Sequence, residues 1–180
     1  MIASALATTA PVTTAQVSTR CRAEPLIFDG FLPELCPQLE QIILHRMKSD
    51  RRRTPSLNIG GWKSAEDFFT WPDAAVQALR SRVVAELGAP RTVAWAMVNR
   101  AGSSHPRHQH RAAILTGVYY VTSGSDDAIT PTIFECADKS ELEVEPHPGR
   151  LVICRGDCWH RVGPVLGETP RITIAFDVRR

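Results

Sequence analysis

Apolar residues recur at helical spacing in the first half of the chain and at every second position in the second half. After a short apolar strand at Leu26-Ile27-Phe28, the stretch FLPELCPQLEQIILHRMKSD places Leu35, Leu39, Ile42, Ile43 and Met47 on one helix face. Pro33 or Pro37 fits in its first turn, where the missing N–H costs nothing. SLNIGGWKSAEDFF then reads as a glycine-containing loop, with Ser64-Ala65-Glu66-Asp67 as a cap for one short turn. PDAAVQALRSRVVAELGAP is the clearest helix. Asp73 stands at its start, Val76, Leu79, Val83, Val84 and Leu87 form the buried stripe, and Gly88 with Pro90 ends it.

From Arg91 onward the period is two. TVAWAMVN puts Val93, Trp95 and Met97 on one face, and ILTGVYYV, TPTIFECA, GRLVICRG, HRVGPV and RITIAFDV are further short strands between Gly, Pro, Asp and Ser. Six or more strands with no helix between them argue for a sandwich or barrel rather than a parallel sheet. The expected fold is mainly β with flanking helices, a jelly roll whose N-terminal helices pack outside the barrel. Residues 1–22, rich in Ala and Thr and without a basic leader, read as a loosely ordered tail, and residues 23–180 as a single domain.

Composition narrows the function classes. A net charge of +2, from 21 basic and 19 acidic residues, gives no case for nucleic acid, and Arg51-Arg52-Arg53 reads as a solvated loop. No apolar stretch reaches the roughly 20 residues that span a bilayer. Five cysteines without regular spacing do not form a disulfide framework, which points to reduced thiols and a cytoplasmic setting. A homodimer is compatible with the sequence.

The candidate chemistry lies in the histidines. His108 and His110 project to the same side if their segment is extended, and His160 follows LVIC and a tight RGD turn. Such a pair with a distant third histidine can ligate a metal facially and leaves three open positions on an octahedral ion. His105, at an odd offset and next to Pro106, reads as a loop residue or a neighbour of the ligands. His147 between prolines and His45 on the first helix read as surface residues. A rival set, Cys154, Cys158 and His160, lacks a matching fourth ligand for structural zinc, and Cys154 fits a small apolar core position. Arg171 and Thr173 share a face of the last strand. A guanidinium and a hydroxyl so placed can hold the far end of a dicarboxylate, whereas the plain alternative is an edge-strand arginine paired with a surface acid.

Taken together, NIGGWKS, HQHRAAILTGVYY, GDCWHRVGP and RITIAF resemble a bacterial and phage group of 2-oxoglutarate/Fe(II)-dependent oxygenases, from about Leu26 to Phe176. The resemblance implies a double-stranded β-helix, a cupin-like barrel. It implies an iron held by His108, His110 and His160, with 2-oxoglutarate as cosubstrate anchored by Arg171 and Thr173. It also implies conversion of 2-oxoglutarate and O2 to succinate and CO2 with C–H oxidation of a small-molecule or peptide substrate. His110 stands where the wider superfamily carries Asp or Glu, which leaves the iron at +2 instead of +1 and favours a dianionic cosubstrate. Asn99, Tyr119 and Tyr120 are expected at or near the barrel interior. Trp62 is expected either as a lid on its glycine-rich loop or in core packing. Two other readings stay open: a three-histidine cupin-type dioxygenase or isomerase that needs no 2-oxoglutarate, and a non-catalytic metal-binding jelly roll.

Overall fold

A computed structural model describes residues 24–51, 57–125 and 128–179. The expected N-terminal tail, Cys21, and Arg52 with Arg53 of the arginine run lie outside them. Among the described residues ten strands form two antiparallel sheets. The larger has the order β1 (Leu26–Phe28), β8 (Leu151–Arg155), β5 (Ala113–Tyr120), β10 (Arg171–Arg179), β3 (Thr92–Asn99), β2 (Trp62–Lys63). The smaller has the order β4 (His105–His108), β9 (His160–Val162), β6 (Thr132–Glu135), β7 (Glu141–Val144). This is the jelly-roll arrangement that the strand pattern predicts.

Alternation along each strand of the larger sheet decides what each face meets. Ile172, Ile174, Phe176 and Val178 of β10, with Ala94, Ala96 and Val98 of β3 and Leu115 and Tyr119 of β5, join the main apolar cluster. The two helices complete that cluster from outside: α1 (Cys36–Ser49) through Leu39 and Ile43, and α2 (Ala74–Leu87) through Val76, Leu79, Val83 and Leu87. The opposite face presents Trp95, Met97 and Asn99, Thr116 and Val118, Val152 and Cys154, and Arg171, Thr173 and Ala175 to a cavity between the sheets. A one-residue slip of β10 would exchange its isoleucines for Arg171 and Thr173 in the core, so the register is strongly specified.

Several local expectations change. Pro33–Leu35 forms a separate 3-10 turn before α1, so the helix starts at Cys36 with Pro37 in its first turn. Val84 is only half buried. Asp73 occupies the N-cap of α2 without a side-chain cap bond, and its carboxylate instead lies 3.5 Å from Arg46. Ser64 caps no helix. Its hydroxyl accepts the Ala96 N–H at 3.0 Å and donates to Ala65 O, tying the loop to β3. Strand β4 has no apolar alternation of its own, and His105-Pro106-Arg107-His108 becomes a strand by pairing with β9. Strand β7, absent from the expected strands, alternates Leu142 and Val144 with two glutamates and pairs with β6. Cys36, Cys136, Cys154 and Cys158 form no disulfide among the described residues.

Candidate active site

Strand pairing assembles the histidines. In the smaller sheet His108 of β4 lies opposite His160 of β9, and their ring centroids are 4.2 Å apart. His110 lies just past the end of β4, so strand pairing does not position it as it does His108. It reaches the same point because its backbone N–H donates to Gly156 O at 2.7 Å and its carbonyl accepts Ala113 N–H at 2.8 Å. The RGD turn can approach so closely only through a glycine: a Cβ at Gly156 would stand 2.1 Å from Ala113 O and 2.6 Å from His110 O. The His110 ring then lies 5.2 Å from His108 and 5.3 Å from His160, and one ring nitrogen of each of the three histidines falls within 4.8 Å of the others.

The Nδ1 atoms are all engaged. That of His108 meets Pro106 O at 2.8 Å, that of His110 meets Asp177 Oδ1 at 2.8 Å, and that of His160 meets Cys158 O at 3.1 Å. An imidazole that donates Nδ1–H to oxygen keeps the Nε2 lone pair, which is the tautomer a metal needs. Burial, reinforced by the neighbouring His108, holds His160 down at about 3, and burial likewise lowers His108. His160 therefore stays neutral well below neutral pH, and neutral imidazole is the ligating form. Among the described residues, these three are the only group of His, Cys, Asp or Glu with spacing suited to a metal. Cys154, Cys158 and His160 do not form one. Cys154 is buried on the cavity wall, and Cys158 packs behind it, its thiol 3.6 Å from Glu135 O.

His105 is not a loop residue. It opens β4, its ring stacks on His108 at 4.1 Å, and burial together with His108 lowers its pKa to about 3. These shifts carry a sign. An unfolded histidine takes up its proton near pH 6.5, whereas folded His105 and His160 do so only near 3. The metal-free protein should therefore lose stability as pH falls from about 6.5 toward 3 and gain nothing from these groups above 6.5. Urea unfolding midpoints of chelator-treated protein between pH 7.5 and 4.5 should decline, and less steeply in His105→Gln. A profile unchanged by that substitution would contradict the shift assigned to His105.

Arg171 ends up far from its plain alternative. β10 is a central strand between β5 and β3, and Arg171 is 2% exposed. Its Nη2 donates to Thr132 Oγ1 at 2.7 Å, and the guanidinium lies 5.2 Å from the centre of the Tyr120 ring. No acidic side chain among the described residues pairs with it. Its Nε, the Thr173 hydroxyl and the Asn99 Oδ1 are buried without a hydrogen-bond partner. A buried guanidinium without a counter-ion is costly, and burial depresses its pKa. Two of these groups, the Arg171 Nε–H and the Thr173 hydroxyl, are donors lining the histidine cavity that can serve an anion's oxygens, whereas Asn99 Oδ1 is an acceptor and needs a donor. The glycine pair of NIGGWKS serves this wall: a Cβ at Gly61 would lie 2.3 Å from Asn99 Oδ1 and 2.4 Å from Asn58 Nδ2.

Residues 93–177 match the sequence profile of a family described as "Putative 2OG-Fe(II) oxygenase". Over these 85 of its 180 residues, which carry His108, His110, His160 and Arg171, the chain is similar to that family. Its members are 2-oxoglutarate/Fe(II)-dependent oxygenases, which makes this chain an enzyme with Fe(II) as cofactor and 2-oxoglutarate as cosubstrate. The donor set suits both: three clustered imidazoles for the cation, and a buried arginine for a carboxylate. Solved structures agree on the fold of this oxygenase. A prolyl-4-hydroxylase from Pseudomonas putida is 20% identical with TM-score 0.70, over 93% of this chain and 98% of that one. A Trichoplax adhaerens prolyl hydroxylase, in complex with a hypoxia inducible factor peptide, is 15% identical with TM-score 0.68, over 92% and 88%. A viral collagen prolyl hydroxylase from Paramecium Bursaria Chlorella virus-1 is 12% identical with TM-score 0.61, over 86% and 95%. No curated protein matches the chain significantly.

The oxygenase's remaining expected residues divide between the two faces of the larger sheet. Asn99 lines the cavity. Tyr119 points the other way, into the helical cluster, where its hydroxyl donates to Leu32 O at 2.9 Å. Tyr120, one position on, faces between the sheets and donates to Thr132 Oγ1 at 2.7 Å. Trp62 packs against the helical cluster with its Nε1 donating to Asp50 Oδ2 at 3.3 Å, which fits core packing and not a lid. Sequence reasoning missed Thr132 and Asp177, whose roles depend on side chains brought in from distant strands. No helix is long and apolar enough to cross a membrane among the described residues.

Proposed function

We propose that this oxygenase hydroxylates a C–H bond of a small molecule or peptide side chain at a centre held by His108, His110 and His160. Fe(II) bound there supplies the dioxygen chemistry that couples decarboxylation of 2-oxoglutarate to substrate oxidation. The chain's own residues bind, orient and exclude water. Arg171 takes the far carboxylate of 2-oxoglutarate, the Thr173 hydroxyl donates a second bond, and Thr132 and Tyr120 hold the guanidinium in place. Met97, Val118, Phe134, Val152 and Ala175 close the cavity walls with apolar surface, which strengthens every charged contact inside. The substrate enters where Leu57, Lys63, Trp95 and Gln109 border the histidines on the open side.

The observation that carries this reading is the buried Arg171, without an acidic partner among the described residues, in the same cavity as three clustered imidazoles. A three-histidine enzyme that does not use 2-oxoglutarate, or a metal-binding module without turnover, has no need of such a residue. The test is anaerobic loading with Fe(II), addition of 2-oxoglutarate and air, and quantification of succinate. Slow succinate release without substrate is expected, abolished in His160→Ala. Wild-type protein that binds Fe(II) yet neither binds nor consumes 2-oxoglutarate would sink the proposal. His105→Ala should keep its metal, because His105 touches His108 by stacking and offers no nitrogen to the group. Metal loss in that variant would mean the pair in HPRHQH was chosen wrongly.

A further inference from the structure

His110 is the histidine of the three that lies outside a strand, and its ring is set by its surroundings. Trp95 stacks on it at 5.7 Å with the planes 7° apart, and Asp177 Oδ1 lies 2.8 Å from Nδ1. The other two histidines rest Nδ1 on neutral backbone carbonyls, those of Pro106 and Cys158. Among the described residues, Asp177 is the carboxylate hydrogen-bonded to one of the three rings. It is 8% exposed, and its place is fixed by central strand pairing: it lies opposite Val93 of β3 and Thr116 of β5. The cation beside it is otherwise engaged. Lys63 lies 4.7 Å over the Trp95 ring and 3.9 Å from Glu66, and Glu66 in turn accepts from Arg179.

We infer that Asp177 is a positioning residue for the metal centre, acting through His110. This rests on the metal reading above. By accepting Nδ1–H, the carboxylate keeps the proton off Nε2 and fixes the plane of a ring that no strand orients. It also places a negative charge one ring away from a donor set that has none of its own, which raises the basicity of His110 toward a cation. The bland alternative is a buried aspartate satisfied by a convenient imidazole. The two differ in sign at the second ligand. Removing the charge should weaken cation binding but leave the loaded centre more positive, so anion binding there should hold or tighten. A general structural defect would weaken both.

The experiment is calorimetric titration of Co(II) into metal-free wild type, Asp177→Asn and Asp177→Glu. It is followed by titration of 2-oxoglutarate into each protein saturated with Co(II). Asp177→Asn should lose roughly 10–100-fold in metal affinity, the usual cost of losing a ligand's hydrogen-bond partner. Asp177→Glu should recover part of it. The 2-oxoglutarate dissociation constant of loaded Asp177→Asn should be equal to or below that of wild type. Wild type that binds no metal overturns both the functional reading and this one. Tight wild-type binding with Asp177→Asn unchanged, or with both ligands weakened alike, overturns the role of Asp177 alone. If Asp177→Asn does not fold, histidine 15N NMR of the metal-free wild type decides. A proton on Nδ1 of His110 supports the assignment, and a proton on Nε2 refutes it.

Discussion

His160→Ala should leave the protein folded but unable to retain Fe(II) or Co(II). The three rings form a triangle with centroids 4.2, 5.2 and 5.3 Å apart, so removing any one leaves only two donors. Two imidazoles without the third ligand hold a divalent ion poorly. The loss should exceed the roughly 10–100-fold that accompanies removal of a ligand's hydrogen-bond partner. His108→Ala and His110→Ala should behave alike. Metal content of chelator-stripped, reloaded and desalted protein, measured by elemental analysis beside a circular dichroism spectrum, is the check. Stoichiometric metal in all three folded variants would rule the triad out. Cys154→Ser and Cys158→Ser serve as controls and should retain the ion.

The second large effect concerns Arg171. A charge-assisted bidentate pair is worth about 1.5–3 kcal/mol, so Arg171→Met should raise the 2-oxoglutarate dissociation constant at least roughly tenfold. Arg171→Lys keeps the charge but not the fork and should fall between. Metal affinity should survive both changes. The burial of Arg171 without an acidic partner adds a further expectation: methionine removes a desolvated charge, so the metal-free variant should be no less stable than wild type. Wild type should gain thermal stability on adding 2-oxoglutarate to metal-loaded protein, and Arg171→Met should not. Equal binding by Arg171→Met and wild type would remove the cosubstrate anchor from the functional reading.

Both faces of the larger sheet were legible along the chain, because period-two alternation is written in each strand separately. Ile172, Ile174 and Phe176 on one side of β10 and Arg171 and Thr173 on the other follow from spacing alone. The helices were legible for the same local reason: Leu39 and Ile43, and Val76, Leu79, Val83 and Leu87, fall on single stripes. The histidines and the arginine were visible as residue types at telling intervals. Long-range pairing decided the rest. β4 carries no apolar alternation and exists as a strand only because β9 lends it hydrogen bonds. Which of two adjacent tyrosines faces the cavity depends on the phase of β5 against β10, a property of the assembled sheet. Ser64 reads as a cap until β3 offers it the Ala96 N–H. Asp177 reads as one more polar residue near the end of the chain until His110, 67 positions earlier, closes to 2.8 Å. Spacing along one strand can announce a ligand, but the partner that orients it comes from another strand, and only the fold brings the two together.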